Sequence, residues 1–221
     1  MSPIDVVDLT QPLGPRTVLW PGSTPFSATV GGRLPETSYW RDLELPEHAG
    51  THLDAPAHFA PGGATADQLS LEQLVRPAAV LDARPICGDD PNAEVAAADL
   101  EGFEAAHGRL QAGDALLVCT GWDRYVNDDE QYSVFPGLSV DAAELVVERG
   151  VAGICIDTLG IEPRSASTFP AHRITQAAGV WHLEGLVGLE RLPPRGAWIA
   201  AGVLPVVDGS GAPARAFAIL T

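Results

Sequence analysis

Cationic side chains are scarce in this sequence. Thirteen Lys and Arg stand against 29 Asp and Glu, a net charge of −16 over 221 residues. Phosphate binding needs clustered cations, so the balance argues against nucleic acid as a partner and equally against an anionic membrane surface. Cysteine is scarce too. Cys87, Cys119 and Cys155 are odd in number and lack CxxC spacing, which argues against a disulfide framework and a thiolate zinc site. Cys119 and Cys155 lie in apolar runs and are expected to be buried, inert thiols. No run approaches the ~20 apolar residues of a membrane span. Met1-Ser-Pro-Ile-Asp5 has neither the basic region nor the apolar stretch of a signal peptide. A reducing cytoplasm is the expected compartment. No Gly-x-Ser-x-Gly elbow is present, which disfavours a serine hydrolase.

What is there describes a globular chain. Apolar residues make up 46% and charged ones 19%, too apolar for disorder. The length fits one domain, residues 1–221, with a sizeable core. Alternation predicts strands over 5–9 and 38–45, the second with one wet face. Residues 11–26 hold four prolines and two glycines and are expected to be irregular. Ser70 opens a short helix to about Arg76, with Gln73 as its capping-box partner. Apolar strands are expected over 78–83, 114–119 and 151–157, separated by helices over 98–107 and 140–149. Ser139 caps the second helix and Gly150 follows it. A last helix is expected over 180–190. Strands over 197–204 and 213–220 flank the turn Asp208-Gly-Ser-Gly211. Apolar strands alternating with helices predict a covered parallel middle, and the β-rich ends make the class mixed α/β.

Chemistry concentrates in His48-Ala-Gly-Thr-His52-Leu-Asp54-Ala-Pro-Ala-His58. Three of the six histidines and an aspartate fall within eleven residues. Imidazole and carboxylate are the ligands that Zn²⁺ and Mn²⁺ prefer. A helix would align His48 with His52, but Gly50, Thr51 and Pro56 disfavour one. Fully extended, the pair would be roughly 13 Å apart at about 3.3 Å per residue, too far to share an ion. A bend at Gly50 is therefore expected, with His52 and Asp54 beyond it on one strand face.

This pattern, HxGTHxDxPxH, resembles the signature of the putative cyclase family, which includes bacterial kynurenine formamidase and isatin hydrolase. Weaker similarity extends over Asp8-Leu-Thr-Gln-Pro-Leu13, Val18-Leu-Trp-Pro-Gly22, Gly153-Ile-Cys-Ile-Asp-Thr158, Ala171-His-Arg173 and His182-Leu-Glu-Gly185. The resemblance implies a swivelling β/β/α domain in homodimers or homotetramers. It implies that His48, His52 and Asp54 ligate a metal and that His172 and Glu184 complete the site. His58 would give or take a proton, and Trp20 would line the substrate pocket. Three imidazoles and two carboxylates exceed what one catalytic zinc needs and suit two ions. The expected cofactor is Zn²⁺, one or two per chain, with Mn²⁺ as the alternative.

The implied activity on a small-molecule substrate is hydrolysis of an amide C–N bond. The amide is an N-formyl arylamine such as N-formylkynurenine, or a cyclic amide. A lactone hydrolase, or a cyclase or dehydratase of secondary metabolism, is the alternative on the same metals. A metal-binding protein without catalysis is the alternative outside enzymes, but it has no need of the surplus His58. His182 is expected to point away from the site, and His107 to be an ordinary helix-terminal residue. Asp157 has two open readings, structural or supporting the site. The family's Pro-Leu-Lys stretch reads Val203-Leu-Pro205 here and its Asp-Pro reads Glu162-Pro163. Both departures are expected to bear on substrate choice.

Overall fold

The computed structural model describes residues 4–221; Met1–Pro3, where the leader expectation begins, lie outside the described residues. The strands are β1 (Asp5–Asp8), β2 (Ser27–Gly32), β3 (Trp40–Glu44), β4 (His52–Asp54), β5 (Val75–Asp82), β6 (Glu94–Val95), β7 (Ala115–Cys119), β8 (Gly137–Leu138), β9 (Gly153–Ile156), β10 (Trp181–Glu184), β11 (Ala197–Val203) and β12 (Gly211–Leu220). The helices are α1 (Leu71–Leu74), α2 (Arg84–Cys87), α3 (Ala97–His107), α4 (Asp129–Tyr132), α5 (Val140–Arg149) and α6 (Pro170–Ala177).

Eight strands form one sheet in the order β1-β12-β11-β5-β7-β9-β10-β4, and β4 also pairs with β12, so the sheet closes on itself like a barrel. Neighbours among β5, β7, β9 and β10 run parallel, and the remaining pairs of this sheet are antiparallel. The parallel strands are apolar on both faces because both faces are covered. In β7, Ala115, Leu117 and Cys119 point into one core, shared with Leu53, Leu183 and Ile199. Leu116 and Val118 point into the other, against Leu100 and Phe103 of α3 and Ala142 and Val146 of α5. The expected caps are in place: Ser139 accepts from Ala142 N, and Gly150 adopts the left-handed conformation after α5.

Three expectations need correction. The helix placed over 180–190 is strand β10. Trp181 and Leu183 alternate into the core while His182 and Glu184 face the other way, and β9 and β4 supply its hydrogen-bonding partners. The helical segment lies upstream as α6, started by Pro170 and ended before Gly179 at φ 83°. The helix opened by Ser70 keeps its capping box but lasts one turn, because Val75-Arg-Pro-Ala is already strand β5. Strand β3 was expected to have one wet face, yet both its faces are exposed in a hairpin with β2.

Candidate metal centre

Strand β4 is the base of the site. Gly50 turns the chain at φ 61°, a conformation costly to residues with a Cβ. The alternation that follows buries Leu53 in the core and puts His52 and Asp54 on one face. After β4, Pro56 starts a single 3₁₀ turn that brings His58 back, its Nε2 3.9 Å from Asp54 Oδ2. Strand β10 lies antiparallel beside β4 with Glu184 opposite His52 and His182 opposite Asp54. Helix α6 carries His172 over the same face. His48, His52, Asp54, His58, His172, Glu184 and Trp20 all line one cavity of about 350 Å³. The structure thus brings the seven residues that the resemblance marks as ligands, proton carrier and pocket wall into one place.

The hydrogen bonds set which nitrogen of each ring faces the cavity. His52 Nδ1 lies 2.9 Å from the carbonyl oxygen of Gly50, which can only accept. Its Nε2 is therefore bare in the neutral ring, 3.3 Å from Asp54 Oδ1 and 3.5 Å from Glu184 Oε2. His172 Nδ1 is paired with the buried Glu162 carboxylate. Its Nε2 lies 3.1 Å from Glu184 Oε1 and 3.5 Å from Asp54 Oδ2. Nitrogen lone pairs thus face carboxylate oxygens, and only protons or a cation can reconcile them. Among the described residues, the ion-pair partners of Asp54 and Glu184 are histidines and no arginine.

The pKa shifts express the same demand for positive charge. Burial alone would lower His52, but Asp54 and Glu184 lift it to about 9. His172 is likewise raised well above its usual value, against burial, by Asp54, Glu162 and Glu184. Burial would raise Asp54, yet His48, His172 and His52 hold it well below the usual carboxylate range. A divalent cation fits this donor set, which is buried, oxygen- and nitrogen-rich and short of permanent positive charge. Two groups have ligand atoms within 4.8 Å of one another: Asp54, His172, His182 and Glu184, and His48, Asp54 and His58. Asp54 is common to both.

His182 does not point away from the site, as expected, but lies beside it, its ring 4.9 Å from that of His172. Both of its nitrogens are engaged. Thr175 Oγ1 donates to the Ala171 carbonyl and so accepts from His182 Nε2 at 2.9 Å. Gln176 Oε1 accepts from Phe59 N, which leaves its amide nitrogen 3.3 Å from His182 Nδ1. Burial, with His172 beside it, drives the His182 pKa well down. It is a neutral buttress behind His172. Asp157 lies apart from the cavity and holds the β7–β9 strand ends, accepting from Thr120 N and Oγ1 and from Gly121 N. Burial nevertheless pushes its carboxyl up to about 7. His107 closes α3 and plays no part in the cavity.

The upper wall of the cavity is apolar. Trp20 stands 5.7 Å from Phe169, and Phe169 5.3 Å from Phe59, centroid to centroid. Phe169 holds φ 51° at the start of α6, a conformation rare for a bulky residue outside functional sites. Sequence reasoning missed Phe59 and Phe169 and did not anticipate that Glu162 pairs with His172. Neither Glu162 nor the 203–205 stretch lines the cavity. Glu162 backs His172, and Leu204 is 61% exposed at the end of β11. The signals for the missed residues were faint, a carboxylate ten positions before His172 and aromatics one position after His58 and three before His172.

Comparison with known proteins agrees with this geometry. Residues 7–163 match the family described as putative cyclase. The chain is 30% identical over 243 residues to the isatin hydrolase of Roseibium aggregatum, covering 98% of this chain and 92% of that protein. It is 30% identical over 217 residues to the kynurenine formamidase of Salinibacter ruber, covering 96% and 95%. A crystal structure of an isatin hydrolase bound to the product analogue thioisatinate superposes with a TM-score of 0.92 at 28% identity, covering 98% of this chain and 92% of that one.

Proposed function

The chain belongs to the putative cyclase family, and from that membership we propose that it is a metal-dependent hydrolase of the C–N bond of an aromatic amide, either an N-formyl arylamine or a cyclic amide. The observation that carries this reading is the convergence of three imidazoles and two carboxylates beneath an aromatic wall in one cavity. His48, His52, Asp54, His172 and Glu184 would hold one or two Zn²⁺ or Mn²⁺ ions. When bound, the metal supplies acidified water and a Lewis acid for the carbonyl.

The chain's own residues perform the remaining work. Trp20, Phe59 and Phe169 give a planar aryl group a face to stack on and exclude water. His58 sits 31% exposed at the cavity, its ring 4.1 Å from that of His48. Burial and the surrounding histidines lower its pKa to about 4, against Asp54. It is therefore neutral near pH 7, ready to accept a proton at a ring nitrogen and pass it to the departing nitrogen. Its position three residues beyond the start of the Ala55-Pro56 turn keeps it within reach of Asp54 without the short contacts that His48 makes. A homodimer or homotetramer is the assembly this reading carries, checked by light scattering. Three buried free thiols suit a reducing compartment such as the cytoplasm.

The test is a screen of the zinc-loaded protein against N-formylkynurenine, isatin and simple lactones. Turnover of one of the two amides is expected. Turnover confined to lactones would move the activity to C–O bonds, and none on any of them, with metal bound, would overturn the reading.

A further inference from the structure

The turn Asp208-Gly-Ser-Gly211 joins β11 to β12 and has no role in the reaction above, yet it is shaped around one proposed ligand. Gly211 pairs with Asp54 in the β12–β4 register. A Cβ on Gly211 would lie 2.3 Å from Leu53 O and 2.7 Å from His48 Cε1, so only glycine allows this approach. The carbonyls of Ser210 and Gly209 accept from Ala55 N and Ala66 N, each at 2.9 Å, which ties the turn to the chain on both sides of His58. The Ser210 hydroxyl has a defined direction. Glu47 Oε2 lies 3.0 Å from Ser210 N and 2.7 Å from Ser210 Oγ, and a carboxylate only accepts. A hydroxyl has one hydrogen. With that hydrogen on Glu47, Ser210 Oγ accepts at its 2.9 Å contact with His48 Nε2. His48 therefore carries a hydrogen on Nε2, and its Nδ1 is the nitrogen turned to the site, 2.6 Å from Asp54 Oδ1, where a proton or a cation must stand between the two acceptors.

We propose that Ser210, with its hydroxyl held by Glu47, is a positioning residue that presents His48 to the cation through Nδ1; this rests on the metal-centre reading above. His48 is then turned the opposite way from His52 and His172, which face the site through Nε2. The difference explains the extra apparatus. His52 fixes its ring on the Gly50 carbonyl two residues away. The outward nitrogen of His48 instead needs an acceptor from a turn 162 residues distant in sequence. The partner of a ligating histidine fixes both its tautomer and its ring orientation.

The test uses zinc-loaded, ¹⁵N-histidine-labelled protein. The ring spectrum of His48 is expected to show hydrogen on Nε2 and none on Nδ1. In chelator competition, Ser210→Ala is expected to bind one zinc about 10- to 100-fold more weakly. Glu47→Ala should act in the same direction, and Ser210→Thr, which keeps the hydroxyl, should restore affinity. A His48 hydrogen on Nδ1, or zinc affinity in Ser210→Ala within about threefold of the parent, would overturn the proposal and leave the metal centre standing. A parent protein that binds no zinc would overturn both.

Discussion

At the scale of the residue, the proposed roles separate side chains that would hold a cation from one that would handle a proton. His52 faces two carboxylates and is buried, whereas His58 is half-exposed and 3.9 Å from its nearest carboxylate oxygen. His52→Ala is therefore expected to lose both bound zinc and turnover. His58→Ala is expected to keep its zinc by elemental analysis while turnover falls by about 10²- to 10⁴-fold. Full activity in the His58 variant would remove it from the mechanism, and loss of zinc would make it a ligand through the His48–Asp54–His58 group. Glu162→Ala should weaken zinc binding by about 10- to 100-fold through His172, measured by chelator competition. His48, His52 and Asp54 were legible as candidate ligands because they are packed into seven residues whose spacing permits few geometries, whereas His172 and Glu184 came only with the family resemblance. Glu162, Gln176 and Thr175 were not, because residues that support a ligand keep no fixed distance from it in sequence. Only the fold brings them behind the ring they hold.

Individual elements were legible where local chemistry decides them. Helix α5 has its serine cap and its terminal glycine, and β7 its unbroken apolar run. Strand β10 was misread because Leu183 and Leu186 stand at helical i, i+3 spacing and Leu and Glu favour helices. What makes it a strand is long-range, the open edges of β9 and β4 on either side. That same placement sets Glu184 opposite His52, so the element missed in the sequence is the one that completes the centre. Its end is fixed by Gly185 at φ 65°, where Gln11 Nε2 and Thr51 Oγ1 both donate to the Gly185 carbonyl. A Cβ there would fall 2.5 Å from Gly50 O. Gly185→Ala is therefore expected to destabilise the protein by about 1–3 kcal/mol and to disturb zinc binding as well. Urea unfolding checks the first and chelator competition the second. A variant with an unchanged unfolding midpoint would show that the β4–β10 junction yields easily.

At the scale of the whole molecule, the sequence showed a mixed α/β chain but not that the sheet closes. Closure depends on β12, whose first residues pair with β4 and whose later ones pair with β11 and β1. Nothing local in residues 211–220 marks that change of partner. Among the described residues, no helix is long and apolar enough to cross a membrane. The proposed ligands come from β4 and the turn before it, from β10 and from α6, so losing the cation should be felt by the entire fold. Binding to the native state alone stabilises it by about 2.7 kcal/mol at a hundredfold excess over Kd. For a chain of this size that corresponds to roughly 5–11 °C in Tm.

The size of that effect should depend on pH, and the histidines fix the sign. Without metal, His52 keeps its proton up to about pH 9, against an ordinary value of 6.5. A raised folded-state pKa contributes stability that is fully present below the unfolded value and is lost as pH rises through the folded one. The metal-free protein therefore loses stability between about pH 6.5 and 9. His58, lowered to about 4, and Asp54, also lowered, act at the other end. Each takes stability away as pH falls, His58 from about 6.5 towards 4 and Asp54 below the ordinary carboxylate range. A cation on His52 Nε2 takes the place of its proton, so the metal-loaded protein lacks the alkaline loss. Zinc affinity is then expected to rise by about tenfold per pH unit for each proton displaced. The Tm gap between zinc-loaded and chelator-stripped protein should widen from pH 6.5 to 9. Scanning calorimetry of both forms across that range measures it. A gap that stays constant would mean that His52 gives up no proton when the metal binds and does not belong to its ligands.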